Sequence, residues 1–219
     1  MKTHEFLKRE WLQMLILIVP FVFVVLFWSK FPDKIPTEWN LRGEVEGYSS
    51  KASGLLLLPV LNLVVCGLFF VLPKIDPRKK NYSLFRGPYK AIRLLITVFI
   101  ASVFFVLALV GLGYELNVSS LSYYGVILLF LVMGNYIGNV RPNWFLGIRT
   151  PWTLDNPDVW RKTHRMAGRL WVISSMLMLL LGILVRGRLF VVLFFGYIIG
   201  LVALIPAAYS YLLFRKSAE

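Results

Sequence analysis

Cysteine and histidine are nearly missing from this chain: Cys66 is the single cysteine, and His4 and His164 are the two histidines. One thiol makes no intramolecular disulfide, so the sequence carries no disulfide framework. Two histidines and one cysteine in an apolar run are too few for a zinc set. His164 has no serine and acid at triad-like spacing, and no paired carboxylates suggest acid–base chemistry. Neither catalysis nor a cofactor or metal is expected.

Charge is missing from long stretches. Residues 11–28, 54–72, 94–112, 121–140, 170–185 and 189–213 contain no Asp, Glu, Lys, Arg or His. Each is near the roughly 20 apolar residues needed to cross a hydrocarbon core. With 58% hydrophobic residues, 16% charged residues and a mean hydropathy of +0.70, the expected fold is all-α. The chain reads as a polytopic membrane protein of six transmembrane helices, with an ordered outer loop and an inner interfacial helix. Ion-coupled transporters commonly place ionisable groups at membrane depth, and many carry internal repeats. The sequence shows neither feature. Residues 11–28 follow Lys2, Lys8 and Arg9 as a signal peptide would, but the run is longer than an h-region and lacks a small-x-small cleavage site. It is expected to remain as the first span.

Basic residues set the expected orientation, because cytoplasmic loops retain Lys and Arg. With the N-terminus inside, eighteen of the 24 Lys and Arg fall on inner segments. Six fall outside: Lys30, Lys34, Arg42, Lys51, Arg186 and Arg188. Both termini are therefore expected in the cytoplasm. The same asymmetry accounts for most of the net charge of +13, so the lipid bilayer, and no direct nucleic-acid partner, is expected. The chain divides into a two-helix half, 1–90, with an extracellular loop at 30–53, and a four-helix half, 91–219, with a cytoplasmic loop at 141–169.

Within the spans, Gly134 and Gly138, and likewise Gly196 and Gly200, have the small-xxx-small spacing that lets helix backbones approach. Pro20, Pro59 and Pro206 are expected to kink their helices where neighbours satisfy the freed carbonyls. Asn62 reads as an interhelical hydrogen-bonding residue and Cys66 as a core thiol.

Two loops are too specific in composition to be mere connectors. In the outer one, KFPDKIPTEWNLRGEVEGYSSK, residues Pro32, Pro36, Gly43 and Gly47 are expected to break regular structure. Trp39 and Tyr48 suit interfacial anchoring. In the inner one, Pro142 stops the fourth span, Gly147 permits a tight path to Arg149, and Thr150–Pro151 forces an extended or turned segment before Trp152. Asn156 as N-cap, Pro157 at the first helical position and Asp158 in the first turn start a new helix running into the fifth span. Trp160, His164, Ala167 and Trp171 share one face of that helix, while Arg161, Arg165 and Arg169 form a basic stripe suited to anionic headgroups. His164 reads as a helix-face residue near those headgroups. Arg149 is expected to bond backbone carbonyls or a carboxylate such as Asp155 or Asp158, with Trp152 and Trp160 packed around it.

The stretch GIRTPWTLDNPDVW, 147–160, resembles the signature of the SdpI family of bacterial membrane proteins, through Gly147, Arg149, Thr150, Pro151, Trp152, Thr153 and Trp160, with Asn143 before and Arg165 after. The outer IPTEWNLRGEVEGYSSK resembles a short domain of unknown function often fused to it, through Pro36, Trp39, Asn40, Gly43, Gly47, Tyr48 and Lys51. Glu38 stands where that pattern usually has His, which argues against metal or proton chemistry there. The resemblance implies six spans in the bacterial cytoplasmic membrane and protection against a membrane-active peptide toxin met on the outer face. It also implies a possible second role, holding a cytoplasmic transcriptional repressor at the membrane. From the residues alone, two other classes stay open: a transporter of a neutral or lipophilic solute, and a lipid-headgroup enzyme around Arg149 and Asp155.

Overall fold

The computed structural model describes residues 3–41, 43–185 and 187–218. Lys2, Arg42 and Arg186, which enter the charge balance, lie outside the described residues, as do the side chains of His4, Lys8 and Arg9. Helix α1 (Thr3–Phe27) is followed by strands β1 (Lys34–Trp39) and β2 (Val45–Ser50) and helices α2 (Lys51–Ile75), α3 (Arg86–Gly111) and α4 (Val118–Ile137). Then come the short α5 (Pro151–Asp155), the long α6 (Pro157–Leu184) and α7 (Arg188–Gly196), a π-helical segment (Tyr197–Leu204) and α8 (Ile205–Ala218). Among the described residues, six helical stretches are long and apolar enough to cross a membrane. Their surfaces carry Val25, Leu57, Ile183 and Leu184, each at least two-thirds exposed, as lipid-facing positions require. The molecule is a multi-pass membrane protein.

Two compact units are present. The first comprises Met1–Phe69 and Ile96–Ser122, the second Phe70–Leu95 and Tyr123–Glu219.

In the first unit, the segment expected to be irregular is an antiparallel hairpin, with Ile35 opposite Ser49 and Pro36 opposite Tyr48. The register shifts on both sides of Glu38. Pro36 and Gly47 thus lie inside strands. A two-stranded ribbon has only edge strands, where proline's missing donor is tolerated, and the bulge absorbs the irregularity. Gly43, at φ +86°, does make the turn, closed by Asn40, whose Oδ1 accepts from the Glu44 amide at 3.0 Å. The hairpin is anchored by a residue the sequence reading passed over. Ile35 is completely buried with Phe31, Leu55, Phe104 and Ala108, at positions where Gly54 and Gly111 leave room for it. Deeper in the unit, the Gln13 amide donates to Thr97 Oγ1 (2.7 Å) and Cys66 Sγ (3.2 Å). Asn62 donates to the Thr97 carbonyl at 3.0 Å, the interhelical role expected of it. Cys66 is buried, as expected of a core thiol.

In the second unit, α4 and α6 cross at Gly134 and Gly168, where an added Cβ on either would meet the other's carbonyl oxygen within 3 Å. Gly138 faces the backbone of Arg165. This glycine pair packs as its spacing predicts, but the other does not: a Cβ at Gly196 or Gly200 would meet nothing within 4 Å. Those glycines lead into and lie within the π-helical segment. Pro206, just beyond it, deprives the carbonyl four residues earlier, on Val202, of its regular α-helical donor. Trp171 Nε1 donates to that carbonyl from α6 at 3.2 Å.

Candidate functional site

Helix α4 ends at Ile137, three residues before the expected boundary. Residues 138–150 then fold back on the first turns of α6. The Asn156 side chain caps α6 by accepting from the amides of Asp158 (2.8 Å) and Val159 (3.2 Å), with Pro157 in the first turn. The helix continues without interruption to Leu184. Trp160, His164 and Ala167 are fully buried and Trp171 nearly so, while Arg161, Arg165 and Arg169 are exposed. The two faces read from helical spacing are both present.

His164 lies inside the fold, away from the headgroup-facing stripe expected for it. Its Nδ1 lies 2.8 Å from the Trp160 carbonyl, and its Nε2 accepts the Ile148 amide at 2.9 Å. A neutral imidazole protonated on Nδ1 satisfies both contacts. The rings of Trp160 and His164 stack at 4.1 Å, and Trp160 Nε1 donates to the Val140 carbonyl at 2.9 Å. Gly147 crosses this pair at φ +124°. Any Cβ there would collide with His164 Nε2 and press on the Trp160 ring, so close approach and left-handed backbone both require glycine.

Asn143, fully buried, uses its whole amide. Oδ1 accepts from Phe145 (2.9 Å) and Leu146 (2.6 Å), while Nδ2 donates to the carbonyls of Arg141 and Leu146, both at 2.9 Å. Thr150 is extended, as expected before Pro151, and caps α5 reciprocally with Thr153, so Trp152 lies in a short helix entered at Pro151. Thr153 Oγ1 also donates to the Ile148 carbonyl at 2.8 Å, and Thr150 Oγ1 lies 2.9 Å from Ser210 Oγ on α8. Trp152 packs on Tyr211.

The loop is held from outside by the segment after α2. Asp76 Oδ2 accepts from Tyr82 (2.8 Å) and the Trp144 amide (2.9 Å), and Oδ1 from the Arg78 amide (2.6 Å). Arg78 donates to the Leu154 carbonyl at 2.6 Å, and Asn81 to the Pro142 carbonyl at 2.7 Å. The sequence reading missed these residues. The available signal was Asp76 itself, a lone acid followed by proline among seven Lys and Arg between 74 and 93.

Arg149 bonds a backbone carbonyl of the loop, as expected, donating to Trp144 at 2.8 Å, but it is exposed and the rest of the expected clasp does not form around it. Asp158 instead pairs with Arg161 at 2.9 Å, Asp155 is exposed, and Trp160 packs on His164. The fastening belongs to Asn143, Thr150, Thr153, His164 and Asp76. Of the outer positions, Trp39 packs beside the hairpin core, Asn40 and Gly43 form the turn, and Gly47 faces the Glu38 side chain, which an added Cβ would displace. The Lys51 amide donates to the Asp33 carbonyl at 2.9 Å. Tyr48 points outward, 61% exposed.

Comparison with known proteins places both regions. Residues 139–210 match the SdpI/YfhL protein family, and residues 15–63 match a domain of unknown function, DUF1648. Over 205 residues the chain is 23% identical to the Immunity protein SdpI of Bacillus subtilis (strain 168), covering 94% of this chain and 96% of that protein. No solved structure matches. The signature loop lies inside one match and the hairpin inside the other, so in this chain a region similar to DUF1648 precedes a region similar to the SdpI/YfhL protein family.

Proposed function

We propose that this protein is an integral membrane immunity protein, protecting the cell that makes it against a secreted, membrane-active peptide toxin. The observation that carries this reading is the similarity to the Immunity protein SdpI along nearly the full length of both chains. The distribution of Lys and Arg supports an orientation with the hairpin outside and the signature loop and both termini in the cytoplasm. The outer face would meet the toxin through exposed Leu41, Val45 and Tyr48, beside an open cavity of about 430 Å³ lined by Trp39, Gly43, Tyr114 and Glu115. Protection then works by binding and not by hydrolysis. Relay to a cytoplasmic repressor is the second half of the reading, and exposed Trp144 and Arg149 on the signature loop supply a surface for it.

Producing the protein in a sensitive strain, at controlled expression, is expected to raise survival against a cognate peptide from a panel encoded by neighbouring genes, with the peptide recovered intact. Failure across the panel together with solute flux in proteoliposomes would replace this reading with transport. Single cysteines at exposed Glu46 and Asp155 test the orientation. A membrane-impermeant reagent is expected to label the first and not the second in intact cells.

A further inference from the structure

The loop-ward end of α4 and the first turns of α6 enclose a cavity of about 200 Å³, lined by residues 138–142 together with Pro157, Asp158, Trp160, Arg161 and Arg165. Three of the lining side chains are arginines. Arg161 is neutralised by Asp158 at 2.9 Å. Among the described residues, the guanidinium groups of Arg141 and Arg165 have no hydrogen-bond or ion-pair partner in the fold, and both residues are exposed. Of the other polar groups in the wall, Trp160 Nε1 is bound to the Val140 carbonyl and the Asp158 amide to Asn156, while Asn139 is exposed. The cavity is thus lined by the Trp160 indole and by two uncommitted planar cations.

We propose that this cavity is a phosphate-binding site, with Arg141 and Arg165 holding the phosphate oxygens. Each guanidinium offers parallel N–H donors matched to two oxygens of one phosphate, a geometry an ammonium does not provide. The Asp158–Arg161 pair adds no net charge, so the site carries a surplus of two positive charges, suited to a phosphate with one or two negative charges. The cavity lies where α4 ends and α6 begins, at the end of two membrane spans and hence near headgroup depth. The phosphate would come from an anionic lipid headgroup or from free phosphate.

Full-length protein purified in an uncharged detergent distinguishes these sources. Its thermal unfolding midpoint is followed during titration with phosphatidylglycerol, phosphatidylcholine or inorganic phosphate at constant ionic strength. Phosphatidylglycerol or inorganic phosphate is expected to raise the midpoint saturably, and whichever does so identifies the source. In the double variant R141Q/R165Q, the half-saturating concentration is expected to rise at least tenfold, measured against that variant's own unliganded midpoint. R169Q, which removes a charge from the same stripe outside the cavity, is expected to titrate like the wild type. The proposal is overturned if neither ligand shifts the wild-type midpoint, if phosphatidylcholine shifts it as strongly as phosphatidylglycerol in the lipid case, or if R169Q weakens the response as much as the double variant.

Discussion

The backbone of Gly147 lies against the imidazole of His164, so close that a methyl group at 147 would overlap Nε2, the atom that accepts the Ile148 amide. A turn in the signature loop and a buried ring on α6 therefore form one packed unit with Trp160.

Gly147→Ala is expected to destabilise this unit by about 2 kcal/mol or more, since it combines a strained backbone position with overpacking. Thermal unfolding of the detergent-solubilised protein, with limited proteolysis between residues 141 and 157, measures this. An unchanged melting temperature and unchanged cleavage would show that the loop detaches from His164 at no cost.

Asp76→Asn is expected to cost about 2–3 kcal/mol, because an amide nitrogen replaces one of two carboxylate oxygens that face only donors, leaving a buried N–H against an N–H or O–H. Arg149→Lys should cost less than about 1 kcal/mol, since an exposed residue with one backbone acceptor is easily replaced by another cation. The two melting temperatures test where the fastening lies. Equal losses, or a larger loss at Arg149, would return the clasp to the arginine.

Trp171→Phe removes the indole donor that reaches the Val202 carbonyl. It is expected to cost about 0.5–1.5 kcal/mol, in the range of interhelical hydrogen bonds in membranes. In a Pro206→Ala background the backbone supplies its own donor, and the same substitution should cost measurably less. A double-mutant cycle gives the coupling directly. Zero coupling would mean that the indole bond does not compensate for the proline.

What the sequence made legible was local. Asn156, Pro157 and Asp158 announced a helix start because capping is decided within four residues, and the stripe Trp160, His164, Ala167, Trp171 followed from helical period alone. The six apolar runs were readable for the same reason, since length and charge suffice. Long-range contacts were not. The Asp76–Trp144 bond spans 68 residues, and no pattern within either loop encodes the other. Arg149 attracted the reading because an arginine flanked by tryptophans suits a clasp, yet whether a side chain turns inward depends on neighbours brought by the fold. Pro36 and Gly47 were read as breakers, which holds for central strands but not for a two-stranded ribbon. Gly196 and Gly200 had the spacing of a packing motif and no partner, because spacing places two residues on one face without supplying a second helix.

The hairpin separates stability from recognition. Ile35 is fully buried between small residues of α2 and α3, so Ile35→Ala leaves a cavity and is expected to cost about 2–5 kcal/mol. Tyr48, opposite Pro36 on the same ribbon, is exposed, and its replacement by alanine should change stability by less than about 0.5 kcal/mol. If the hairpin meets the toxin, Tyr48→Ala should lower survival at equal membrane abundance and unchanged melting temperature. Ile35→Ala should lose protection only in step with abundance. The comparison requires quantified protein in the membrane fraction, since a destabilised immunity protein and a binding-defective one look alike in a survival assay. Full protection by Tyr48→Ala, with the same result for exposed Leu41→Ala and Val45→Ala, would remove the hairpin tip as the contact surface and shift attention to the helix ends around Tyr114 and Glu115.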